Sequence, residues 1–95
     1  MNQRDAYVQK LQARWDQWKA DVDKLKAKAK EADADARVEY EKEIERLEQK
    51  KLRAERKLEE LRNASDDAWK DLMTGVENAW KDLGDSVKLA ASRFN

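Results

Sequence analysis

The sequence predicts an all-α fold, with long amphipathic helices forming a coiled-coil hairpin or a helical bundle that oligomerises. Three observations predict it. The 95 residues include no Pro and only two Gly, Gly75 and Gly84, so no residue type forces a turn before the last quarter. The composition is dominated by Ala, Glu, Lys, Leu and Arg, which is the signature of long or coiled helices. Apolar residues recur at steps of three and four, the period of one helical face. That regularity separates the chain from a disordered polyelectrolyte, although 44% of it is charged and its mean hydropathy is -1.16. Such polarity also predicts a chain too polar to enclose a large core alone.

The first segment carries the strictest pattern. Val8, Leu11, Trp15, Trp18, Val22, Leu25, Ala29, Ala32 and Ala36 alternate steps of three and four. This is a heptad seam, bulky at its start and all Ala at its end, where each residue buries little surface. Two steps of four follow, from Ala36 to Tyr40 to Ile44, a stutter that unwinds a supercoil over residues 36–44. The stripe resumes through Leu47, Lys51, Ala54, Leu58 and Leu61. Lys51 interrupts it, with a stem able to lie on apolar surface and a head able to reach water.

The last third changes period. Ala68-Trp69-Lys70-Asp71-Leu72 recurs eleven residues later as Ala79-Trp80-Lys81-Asp82-Leu83, and Val76 and Val87 keep the interval. Ala90, Ala91 and Phe94 make a looser third copy. An eleven-residue repeat drifts slightly to the right and spreads its apolar residues over an arc wider than a coiled-coil seam. Gly75 and Gly84 lie inside this helix. Each is either a tolerated helical Gly, costing about 1 kcal/mol relative to Ala, or the mark of a bend or a close approach.

Two places can turn the chain. Around Asn63-Ala64-Ser65-Asp66-Asp67, Asn63 or Ser65 can cap, and acids fill a first helical turn. Around Asp33-Ala34-Asp35-Ala36, Asp35 can cap. Neither contains Gly or Pro, and the apolar phase runs through both. Cutting at both gives three helices of about 30 residues, the proportions of a three-helix bundle. The unbroken phase and the surrounding alanines favour a single helical domain over 1–95: one helix over residues 1–62, a turn at 63–67, and a second helix over 66–94. An acid followed three residues later by a base occurs nine times, from Asp16/Lys19 to Asp85/Lys88, which supports poorly buried helices.

The chemistry expected is non-catalytic. The chain has no His and no Cys, so the usual base, thiolate and transition-metal ligands are missing. It has no Gly-rich phosphate loop. No catalytic residue, cofactor, metal or small-molecule substrate is expected. Basic and acidic residues balance at 21 each, which predicts no nucleic-acid binding. The first residues lack the apolar core of a signal peptide, and no run approaches about 20 apolar residues, so a cytoplasmic location is expected.

What remains is the stripe. The residues expected to meet a partner are Val8, Leu11, Trp15, Trp18, Val22 and Leu25 in the first segment. Ile44, Leu47, Leu58 and Leu61 follow in the middle, and Trp69, Leu72, Val76, Trp80, Leu83, Val87 and Phe94 in the last third. Two Trp three residues apart are wide for a two-stranded seam and suit three or more helices. The partner expected is a second copy or another helical protein. The alternative is a membrane surface adsorbing residues 65–95, where Trp favours the interface. Four basic against six acidic residues there disfavour anionic lipid.

The C-terminal stretch from Ala64-Ser65-Asp66-Asp67-Ala68-Trp69 through Ala79-Trp80-Lys81-Asp82-Leu83, with Arg4-Asp5-Ala6-Tyr7-Val8 and Glu39-Tyr40, resembles a family of small bacterial coiled-coil stress-response proteins. The resemblance covers nearly the whole chain. It implies a helical fold and a stress-related setting and brings no catalytic residues. Asp66 stands where relatives often carry Gly, which weakens the turn signal there.

Overall fold

A computed structural model describes residues 2–94 and contains three α-helices. They are α1 (Gln3–Glu31), α2 (Ala34–Arg62) and α3 (Asp66–Arg93). Every pair of helices is in contact, with α2 and α3 sharing the most extensive surface. The chain runs up, down and up, so α1 and α3 are parallel and α2 is antiparallel to both. The bundle measures 51 × 20 × 17 Å.

The expected helix over residues 1–62 is therefore divided, and the stutter at 36–44 is not part of a continuous coil. Helix α1 stops at Glu31. Ala32 and Asp33 are extended, with ψ of 154° and 173°. Asp33 caps α2, its side chain accepting from the Ala36 amide at 2.9 Å. It is Asp33, not Asp35, that does so. Arg37 holds the other side of the turn. Its Nε donates to the Ala29 carbonyl at 3.1 Å, and its Nη2 donates to the carbonyls of Lys30 and Ala32. A guanidinium thus meets carbonyls that a helix C-terminus leaves unpaired. No described residue has positive φ, so the turn needs neither Gly nor Pro.

The energetic reason lies in length. A 60-residue helix spans about 90 Å, and a 28-residue partner covers less than half of it. Folding at 32–33 gives each stripe two neighbours. Helix-forming alanines favour continuity by only a few tenths of a kcal/mol each, and burying the stripe outweighs that.

The second turn falls where the sequence indicates. Asn63 closes α2, its backbone amide donating to Glu59. Ser65 caps α3, its hydroxyl accepting from the Ala68 amide at 3.2 Å. Arg4 ties the start of α1 to this turn. Its Nη1 donates to the Ala64 carbonyl at 2.7 Å, its Nη2 pairs with Asp66 at 2.6 Å, and its guanidinium lies 4.7 Å from the Trp69 ring centre.

The register of α1 on α3 is set by aromatic pairs. Arg4 and Asp66 are 62 residues apart, and Tyr7 with Trp69 and Trp18 with Trp80 keep that offset. Both ring pairs have centroids 6.0 Å apart. At the far end Tyr40 of α2 packs on Phe94 at 4.7 Å. The Lys28 ammonium donates to the Phe94 carbonyl there.

Candidate functional site

The candidate site is the apolar stripe, and the structure places its seventeen predicted contact residues between helices of one chain. Val8, Leu11, Val22 and Leu25 of α1 are buried. So are Leu47, Leu58 and Leu61 of α2, and Val76, Trp80, Leu83 and Val87 of α3. Trp15, Trp18, Ile44, Trp69, Leu72 and Phe94 are half-buried against that core. The seventeen residues expected to meet a partner therefore meet one another. Charge at 44% does not prevent an enclosed core, because every charged residue described except Glu43 is exposed or half-exposed.

Several core members escaped the sequence reading. Tyr7 and Met73 pack on the core. Glu43 is buried at 7% exposure, with Arg46 3.7 Å away as its ion partner, while the neighbouring Ile44 is less covered. The steps of four in the heptad phase pointed to Ile44, and no local signal marks Glu43.

Gly84 marks a close approach of α1 to α3. A Cβ there would lie 2.5, 2.9 and 3.1 Å from three ring atoms of Trp18. The Gly lets the indole of α1 lie on the backbone of α3. Gly75 differs, since a Cβ would meet only the Lys57 Nζ at 3.8 Å. One helical Gly is thus required by packing and the other is simply tolerated.

Electrostatics decorate this core. Lys51, the interruption in the stripe, is half-buried with its ammonium 4.6 Å from the Trp15 ring centre. It pairs with Glu55 at 3.6 Å. Lys26–Glu48 joins α1 to α2, and Lys50–Asp82 joins α2 to α3, both at 3.2 Å. Of the nine acid–base pairs spaced by three, Glu39–Lys42, Glu43–Arg46 and Glu59–Arg62 form. Tyr7 donates to Glu77 Oε1 at 3.3 Å, and burial together with the Glu77 charge and hydrogen bond pushes its phenol up to about 12. The Trp80 indole N–H is buried without an acceptor. The Trp80 side chain also lines a groove with Gln12, Trp15, Glu55, Leu58, Glu59 and Arg62.

The apolar arc of α3, considered above as a membrane-adsorbing face, is turned inward, with Trp80 2% exposed. Among the described residues no helix is long and apolar enough to cross a membrane. No group of three acidic side chains among them is placed to hold a metal ion. Among the described residues the large apolar ones left exposed are Val38 and Leu52 on α2 and Leu89 on α3. No known protein family, characterised protein or solved structure matches the chain.

Proposed function

We propose that this protein is a non-catalytic structural element that acts by associating with helical partners, copies of itself first among them. The observation that carries the reading is the division between inside and outside. The stripe residues face one another, so partners meet a rod of fixed shape with polar outer faces and a few exposed apolar residues. The sequence predicts association through the stripe. With the stripe enclosed, association through the outer faces needs no unfolding and is the simpler route. The stress-related setting implied by the family resemblance is compatible with a stable helical scaffold and forms part of the proposal.

Adsorption to membranes through α3 would require opening the bundle and exposing Trp80, which the closed packing disfavours. Association is tested by light scattering of the full chain from micromolar to millimolar concentration at low salt. The expected result is a mean mass that rises above the monomer. A monomeric mass throughout would overturn self-association.

A further inference from the structure

The turn between α1 and α2 is held by the side chains of Asp33 and Arg37. Ala32 has φ −76° and ψ 154°, and Asp33 has φ −67° and ψ 173°. Both φ values are already close to helical, so rotating ψ at these two residues turns the bend into helix. The flanks favour that change. Ala29, Ala32, Ala34 and Ala36 surround the turn, and no Gly or Pro does. The heptad seam runs through it from Leu25 to Ala29, Ala32 and Ala36 in steps of four, three and four. Yet the closed bundle does not use the whole seam, since Ala32 is half-buried and Ala36 is exposed. The second turn differs. Arg4 of α1 ties it through Ala64 and Asp66, and the repeat beyond it changes to eleven residues.

We infer that the Ala32–Asp33 turn is a hinge at which two copies of the chain exchange α1, and that Asp33 and Arg37 form the latch that keeps the chain closed. With the hinge open, α1 and α2 run on as one helix of about 90 Å. The carbonyls at the end of α1 and the amides at the start of α2 pair within it. The α1 of a second copy takes the vacated place, antiparallel to α2 and parallel to α3. Lys26–Glu48, the Lys51 ammonium on Trp15, and the Tyr7–Trp69 and Trp18–Trp80 ring pairs then re-form between chains. Two bundles lie end to end about a two-fold axis at residues 32–33. Ala36 of one copy comes opposite Ala29 of the other, so the seam continues across the axis.

Exchange of an identical element is a low-cost route to a dimer, because the contacts of the closed form are kept. The two states differ by the latch, which opening breaks, and by the freedom lost on pairing, which concentration offsets. With the latch intact the closed bundle prevails. This inference goes beyond association through the outer faces and does not rest on it. Exchange buries the apolar stripe between chains, so salt that screens exposed charges does not suppress it.

Proline separates exchange from mere loss of stability. Pro fixes φ near about −65° and requires an extended residue before it. The closed turn meets both conditions at position 33, where φ is −67° and Ala32 is extended; a helix running through 33 does not tolerate it. Asp33→Ala/Arg37→Ala and Asp33→Pro/Arg37→Ala thus remove the same latch, and only the first leaves the hinge free to become helix. The chain has no Cys, so Lys10→Cys/Arg56→Cys places two spin labels at exposed positions of α1 and α2. Labelled chains are diluted with unlabelled chains of the same latch and refolded at millimolar concentration in high salt. In the closed form the labels sit on adjacent helices, within about 20 Å of each other. In the open form the helix between positions 10 and 56 separates them by about 70 Å. Asp33→Ala/Arg37→Ala is expected to double in mass by sedimentation and to show the long distance by double electron–electron resonance. The Pro variant and the chain with its latch intact are expected to stay monomeric, with the short distance alone. Circular dichroism checks that each variant is helical, and Arg37→Ala alone, expected to show the long distance in a smaller fraction, replaces the double variant if that loses its helicity. The short distance alone without the latch would overturn the exchange, and a dimer that kept it would leave association through the outer faces standing. A long distance in the Pro variant would overturn the hinge at 32–33, and one in the intact chain would overturn the latch.

Discussion

Gly84→Ala and Gly75→Ala make the same chemical change in the same helix with opposite expected signs. In a helix interior Ala is favoured over Gly by about 0.8–1 kcal/mol. At Gly75 the new methyl meets only the Lys57 Nζ at 3.8 Å, ordinary contact distance. That variant should be stabilised by about 0.5–1 kcal/mol. At Gly84 the methyl would sit 2.5 Å from the nearest Trp18 ring atom. Carbon atoms prefer about 3.5–4.0 Å, so the indole must retreat by about 1 Å or more. Overpacking of this kind costs typically 1–3 kcal/mol. Set against the helix gain, Gly84→Ala should lose about 1 kcal/mol. Trp18→Leu shortens the side chain below the clashing atoms. In that background Gly84→Ala should become stabilising, a coupling of about 2 kcal/mol in a double-mutant cycle. Urea unfolding followed by circular dichroism measures all of these. A Gly84→Ala variant stabilised as much as Gly75→Ala would refute the packing of Trp18 on α3.

Other expectations follow from single contacts. Asp33→Ala removes the cap of α2 and should cost about 1 kcal/mol; Arg37→Ala, which frees carbonyls at the end of α1, should speed amide exchange around 29–37 in particular. Lys51→Glu puts a carboxylate on the Trp15 face and beside Glu55, and should lose about 0.5–1 kcal/mol or more in thermal unfolding. Tyr7 has a folded pKa raised from 10.0 to about 12, first by burial and then by Glu77. Its contribution is therefore complete below pH 10 and is lost as pH rises from 10 towards 12. Ultraviolet titration should find one phenol ionising near 12, Glu77→Gln should lower that value, and Tyr7→Phe should lose less stability than wild type across the interval.

Much of the core was legible because burial follows period. The seventeen large apolar residues from Val8 to Phe94 predicted to make contacts recur at helical spacing, and all pack in or against the core. The break at Ala32–Asp33 was not legible from the same signal. Ala29, Ala32 and Ala36 continue the phase, yet Ala29 is buried, Ala32 half-buried and Ala36 exposed. Small residues mark a helix without saying whether they are covered. The true signals there were Asp33 three residues before Ala36, and Arg37 within reach of the preceding carbonyls. Both are ordinary polar residues whose roles depend on the turn existing.

The eleven-residue interval was seen only in α3. Tyr7 and Trp18 share it, which is why both rings meet Trp69 and Trp80 at one offset. That relation becomes visible only when α1 and α3 lie parallel. The sequence allows a close approach at Gly84, but only the packing pairs it with Trp18.

The central claim is that the apolar stripe is enclosed within one chain. Thermal unfolding against protein concentration tests it most directly, in high salt where outward ion pairing is screened. If the stripe is buried within the chain, the Tm stays constant from micromolar to millimolar concentration. If the stripe is buried between chains, the folded form is an oligomer, and the Tm must climb with concentration by mass action. A constant Tm with one cooperative transition is the predicted result, and a steadily rising Tm would contradict the closed bundle.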